Sequence, residues 1–103
     1  MRATPPGSAL VAAAARGDLR TVEYLLAAGA NPNAAAGSDG FRTALHAASA
    51  SGHAAIALRL LDEGADVHVL DGSGRTAIHI ALEALHVDVI DALVARGADV
   101  RRG

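Results

Sequence analysis

Thr76, Ala77, Ile78, His79 and Ile80, closed further along by Gly97, Ala98 and Asp99, decide the reading of this chain because both groups recur upstream. Thr43, Ala44, Leu45, His46 and Ala47 precede the first group by 33 residues, and Gly64, Ala65 and Asp66 precede the second by the same 33. A third triplet, Gly29, Ala30 and Asn31, lies 35 residues before Gly64. Two independent landmarks sharing one register make the sequence periodic. Carrying the register back by 35 places Ser8, Ala9, Leu10 and Val11 on the first landmark, so the chain holds three units, with two surplus residues in the stretch 33–42.

Each unit reads as two short helices and a loop. Ser8, Thr43 and Thr76 each precede an Ala-rich run and can accept a hydrogen bond from a backbone amide one turn later, which is the signature of a helix start. The first helices, predicted near residues 8–15, 43–50 and 76–84, are thin, because Ala12, Ala47, Ala48, Ala50, Ala81 and Ala84 supply little bulk. The second helices, predicted near 18–28, 53–63 and 86–96, carry the larger stripe: Leu19, Val22, Leu25 and Leu26, matched by Val87, Ile90, Leu93 and Val94. That spacing directs the stripe to a core. Gly29, Gly64 and Gly97 follow the last apolar pair, where a left-handed residue ends a helix without a Cβ clash.

On these residues the chain resembles the ankyrin repeat family, whose units run through Thr, Pro, Leu, His, an apolar residue and Ala to a closing Gly, Ala, Asp. The resemblance covers residues 8–102, and the third unit follows it most closely. It implies an all-α solenoid of three stacked helix-turn-helix units with projecting β-turn loops, a single domain with repeats at about 6–35, 36–70 and 71–103. It also implies that His46 and His79 tie their turns to neighbouring backbone and to the capping Thr, buried and free of metal. The chain departs from the family at Ala44 and Ala77, where Pro is usual, and at Phe41 and Leu85, where Gly is usual. The last two are expected to distort their turns.

Composition narrows the function. The 103 residues are 51% hydrophobic but 2% aromatic, with neither Cys nor Trp, so disulfide scaffolds and thiolate metal sites are excluded. All nine cations are Arg and the net charge is −2. With only Tyr24 and Phe41 to stack on bases, and Arg101 and Arg102 the sole basic cluster, nucleic acid is not an expected partner. The apolar run at 9–15 reads as a helix of the first unit and not as a secretory leader, given Pro5, Pro6 and Gly7 before it. No stretch is long enough to span a membrane, and an intracellular, cytoplasmic setting is the expectation.

Catalysis has little support. The five histidines show no four-residue spacing of the kind that places two ligands on one helical face, so neither a metal nor another cofactor is expected. Gly72, Ser73 and Gly74 resemble a phosphate loop only superficially, since no strand precedes them and the chain has no Lys. The serines lack a nucleophile-elbow context, and the carboxylates fall at turns.

What remains is a surface for a protein partner. In a repeat stack each unit touches only its neighbours, leaving one concave face of loops and first helices free. The resemblance places the contact positions at Asp39, Gly40, Arg42, Ala50 and Ser51 in the second unit, and at Gly72, Ser73, Arg75, Glu83 and Ala84 in the third. Leu70 adds apolar area. Arg42 and Arg75 are the expected anchors, because Arg is enriched at binding hot spots and both occupy one loop position. The alternative function is structural: Val87, Ile90 and Val94 point toward a following repeat, the sequence given closes at Gly103, and the apolar end is expected to be covered by a homodimer partner or by further repeats.

Overall fold

A computed structural model describes residues 7–36 and 42–98 of the chain. Among these residues six helices follow one another as three antiparallel pairs: α1 (Gly7–Arg16) with α2 (Leu19–Ala27), α3 (Ala44–Ser51) with α4 (Ala54–Asp62), and α5 (Ala77–Ala84) with α6 (Val87–Ala95). First helices stack α1 on α3 on α5, and second helices α2 on α4 on α6, giving an elongated body of 44 × 25 × 21 Å. The only strands among the described residues are β1 (Ala35–Ala36) and β2 (Arg42–Thr43), a short antiparallel pair with Ala35 opposite Thr43.

The period of the sequence is the period of the core. Leu10, Leu45 and Ile78, spaced by 35 and 33, are buried at one level, and Leu25, Leu60 and Leu93 at another. Between them Ala13, Ala47, Ala48, Ala57 and Ala81 are wholly buried, and their lack of bulk lets helices of adjacent units approach closely. Every second helix ends alike: the amides of Gly29 and Ala30 reach back to Leu26 and Leu25, those of Gly64 and Ala65 to Leu61 and Leu60, and those of Gly97 and Ala98 to Val94 and Leu93. With φ of 96 to 100° at the three glycines, these are Schellman caps.

Three sequence expectations are corrected. Ser8 does not cap the first helix: α1 begins at Gly7, and Ser8 lies exposed within its first turn. Gly7 packs tightly against the next segment: a Cβ there would stand 2.6 Å from that of Ala34. Leu85 does not distort its turn. It takes the left-handed conformation (φ 60°, ψ 34°), and His86 N–H still reaches Ala81 C=O at 3.0 Å, as His53 reaches Ala48. The strain is carried by Leu85 and not relieved by bending the chain. In α6 the inward face is Val89, Ala92 and Leu93, whereas Val87 and Val94 are half or more exposed and Ile90 partly buried. The same phase in α2 is buried because α4 packs over it. Phe41 lies outside the described residues.

Candidate interaction surface

The loops that project from the stack are built by local hydrogen bonding. Thr43 and His46 cap α3 reciprocally: the Thr43 hydroxyl accepts from His46 N–H, and His46 Nδ1 accepts from Thr43 N–H at 3.1 Å. An accepting Nδ1 puts the imidazole proton on Nε2, which donates to Val69 C=O at 2.9 Å. One buried side chain therefore fixes both the start of α3 and the loop leading into the third unit. His79 repeats the arrangement in part, with Nδ1 2.6 Å from the Thr76 hydroxyl, but it is half-buried where His46 is fully buried. Burial pushes the His46 imidazole below its ordinary 6.5.

Asp71 shapes the next loop. Its carboxylate accepts from the amides of Ser73 (2.8 Å) and Arg75 (3.0 Å), while Asp71 N–H donates to Arg75 C=O and Gly74 takes the left-handed conformation. Partial burial pushes the Asp71 carboxyl up, but the two amides and the Arg75 guanidinium outweigh it and hold it below the ordinary carboxylate value. The result is a rigid turn with Leu70, Gly72, Ser73 and Arg75 exposed on it. The sequence reading missed Asp71 as organiser; an Asp four residues before Arg in a Gly-rich turn was the available signal.

Of the expected contact positions, Arg42, Ser51, Leu70, Gly72, Ser73, Arg75, Glu83 and Ala84 are exposed and Ala50 is half-buried. Asp39 and Gly40 lie outside the described residues. Arg75 and Glu83 are not independent groups: they form an ion pair with each other, and Arg75 Nε also stands 3.6 Å from Asp71. Arg42 makes no ion pair among the described residues. The units are laced a second time by Asn33, whose amide group donates to Gly64 C=O (3.1 Å) and accepts from Asp66 N–H (2.7 Å). No described helix is long and apolar enough to cross a membrane.

A stack of short antiparallel helix pairs with Schellman-capped ends and imidazole-braced loops defines a helical repeat protein. The chain belongs to the ankyrin repeat family: a profile of ankyrin repeats in three copies matches residues 8–103. Ankyrin repeats are generally non-enzymatic and mediate protein–protein interaction. Among curated proteins the chain is 39% identical over 79 residues to the neurogenic locus Notch protein of Drosophila melanogaster, covering 77% of this chain and 3% of that protein. It is 36% identical over 98 residues to the probable E3 ubiquitin-protein ligase XBOS32 of Oryza sativa subsp. japonica, 93% of this chain and 19% of the other. It is also 39% identical over 64 residues to delta-latroinsectotoxin-Lt1a of Latrodectus tredecimguttatus, 60% of this chain and 5% of that one. The chain thus spans less than a fifth of each of these relatives.

Proposed function

We propose that the chain is a protein-binding module that grips its partner with the projecting loops and first helices. The observation that carries this reading is the Asp71 turn, which holds a half-exposed Leu70 beside Arg75 on a rigid support. A preformed loop loses little conformational freedom on binding, so an apolar side chain flanked by a guanidinium is a favourable anchor there. Resemblance to a ubiquitin ligase and to a toxin, whose names denote unrelated activities, supports a module that serves recognition. Arg42, at the corresponding loop position of the second unit, extends the surface, and the Arg75–Glu83 pair presents two charges in fixed relative positions.

The test is a binding isotherm against a partner, with charge reversal on two faces. Arg42→Glu or Leu70→Asp weakens binding at least about tenfold while the melting temperature stays put, because both side chains are exposed. Asp88→Lys and Asp91→Lys, on the outer side of α6, leave affinity unchanged. The reverse pattern would sink the proposal.

A further inference from the structure

His46 stands between two segments that carry opposite charges. On one side is β2, where Thr43 N–H donates to its Nδ1 at 3.1 Å and the Thr43 hydroxyl lies 3.0 Å from the same nitrogen. On the other is the loop into the third unit, where its Nε2–H donates to Val69 C=O at 2.9 Å. Arg42 adjoins Thr43, and Asp71 lies two residues past Val69. Both act on the ring: the Asp71 carboxylate favours a proton there and the Arg42 guanidinium opposes one. The other charges on the elements around it are engaged elsewhere. Arg16 at the end of α1 pairs with Asp18, Arg59 of α4 with Glu63, Asp62 of α4 with Arg96, and Glu83 of α5 with Arg75, while the Asp66 carboxylate accepts from His68 N–H. Neither these nor His53 and His79 bear on the ring as Asp71 and Arg42 do.

The two ring nitrogens respond differently to a proton. Nε2 already carries a hydrogen and keeps it, so the bond to Val69 C=O survives and gains strength from the charge. Nδ1 accepts only while its lone pair is free. Once protonated it turns an N–H toward the Thr43 N–H, which sets two donors 3.1 Å apart. The Thr43 hydroxyl can turn to receive the new proton, but the Thr43 amide has then lost its imidazole acceptor in a residue only 3% exposed. An amide stranded in this way is costly until it reaches water. Arg42 repels the imidazolium from the β2 side and Asp71 draws it from the other, so hydrogen bonding and charge act in the same direction.

We propose that His46 is a proton-operated latch: neutral, it holds both segments, and protonated, it releases β2 and the start of α3 while keeping its grip on the loop of the third unit. The segment it releases carries Arg42, and the one it keeps carries Leu70 and Arg75. His79, its counterpart in the third unit, is not such a latch. Its Nδ1 meets the Thr76 hydroxyl and no backbone amide among the described residues, so a second proton there strands no amide. The device is complete in the free chain and operates whether or not a partner docks on the same loops.

Nuclear magnetic resonance of the whole chain between about pH 7.5 and 4.5 tests the latch. Each imidazole is followed by its own ring protons, and each amide by its protection, the exchange rate relative to an unstructured peptide at the same pH. Asp71 stays charged through this range, because its carboxyl is held below the ordinary carboxylate value. As His46 takes up its proton, the Thr43 amide is expected to lose at least about tenfold in protection. The Ser73 and Arg75 amides, held by Asp71, and those of α4 keep theirs. Arg42→Gln, at an exposed position, raises the His46 midpoint by about 0.3 pH unit, and Asp71→Asn lowers it by a similar amount, the size expected of one charge about 10 Å away in water. Asparagine still offers an oxygen to the two loop amides, so the turn survives that exchange. The latch is overturned if His46 stays neutral until the helices melt, if Thr43 keeps its protection while the ring titrates, or if Ser73 and Arg75 lose theirs along with it. An Arg42→Gln midpoint that does not rise overturns it as well.

Discussion

Replacing His46 by Ala is expected to cost about 3 kcal/mol of stability and to lower the melting temperature by on the order of 10 to 20 °C. The side chain is 1% exposed, and both ring nitrogens are used, one by Thr43 N–H and the other by Val69 C=O. Alanine leaves that amide and carbonyl without partners, opens a cavity the size of a ring, and cuts the tie between the start of α3 and the loop carrying Leu70 and Asp71. Thermal or urea unfolding followed by circular dichroism measures the loss, and a change below about 1 kcal/mol would contradict the bracing role. A cycle with Thr43→Ala should be strongly non-additive, because the two residues cap α3 through each other.

The same residue sets an acid limb in the stability curve. Burial favours neutral His46, so its folded pKa lies below the ordinary 6.5. Between those two values the unfolded chain binds the proton more tightly than the folded one. Stability from this residue is therefore fully present above pH 6.5 and declines as the pH falls toward the folded value, by up to about 1.4 kcal/mol per pH unit. The Val69 carbonyl and the Asp71 charge oppose the shift and Arg42 adds to it, but burial dominates. In His46→Ala this part of the limb flattens. Asp18, held below its ordinary value by the Thr21 hydroxyl and amide, and Asp71 lose their contributions only at more acid pH, below about 4. The His46 limb thus sets in as the pH falls past about 6.5, and the carboxylate limb only below about 4.

Gly52→Ala is expected to cost about 2 to 3 kcal/mol, roughly twice the effect of Gly64→Ala, although both glycines have positive φ. At Gly64 a Cβ meets nothing within 4 Å, so only the left-handed backbone is strained. At Gly52 it meets His86 Nδ1 at 2.8 Å and Cε1 at 2.9 Å. The ring must move, and with it goes the bond from His86 Nε2 to Ala50 C=O, 3.1 Å long, that joins the third unit to the second. Leu85 holds the same conformation with a full side chain, which locates the excess cost at Gly52 in the ring and not in the backbone. Gly52→Ala made in a His86→Ala background should then cost no more than Gly64→Ala. An equal cost in both backgrounds would refute the stacking account.

The residues that could be assigned from sequence are those whose role depends on local conformation. Gly29, Gly64 and Gly97 ended helices as expected, and Thr43 and Thr76 stand at the N-caps of α3 and α5, because caps and left-handed turns are settled within four or five residues; only Thr43 accepts the expected amide hydrogen bond, since the Thr76 hydroxyl meets His79 Nδ1 and no backbone amide. The same holds for the repeat spacing of 35 and 33 residues, which places Leu10, Leu45 and Ile78 at one depth of the core in a stack where every unit meets its neighbour alike. Exposure of Arg42, Arg75 and Leu70 was legible too, since loop positions project when the helices behind them bury their apolar faces.

What the tertiary structure alone decided is everything that depends on which unit lies next to a residue. Val87, Ile90 and Val94 share one helical phase and were read together as the apolar end of the stack, but the structure divides them, leaving Val87 and Val94 exposed and Ile90 partly buried, because phase names a face and only packing says how much of it is covered. Arg75 and Glu83 read as separate anchors but are held together by a fold that brings a loop against the end of α5. Gly17 and Gly52 read as ordinary turn glycines, although each also makes room for a ring that arrives from 34 to 36 residues further along the chain. A local pattern carries no information about such arrivals. Distance in space between residues of different units is set by the stacking of whole helices.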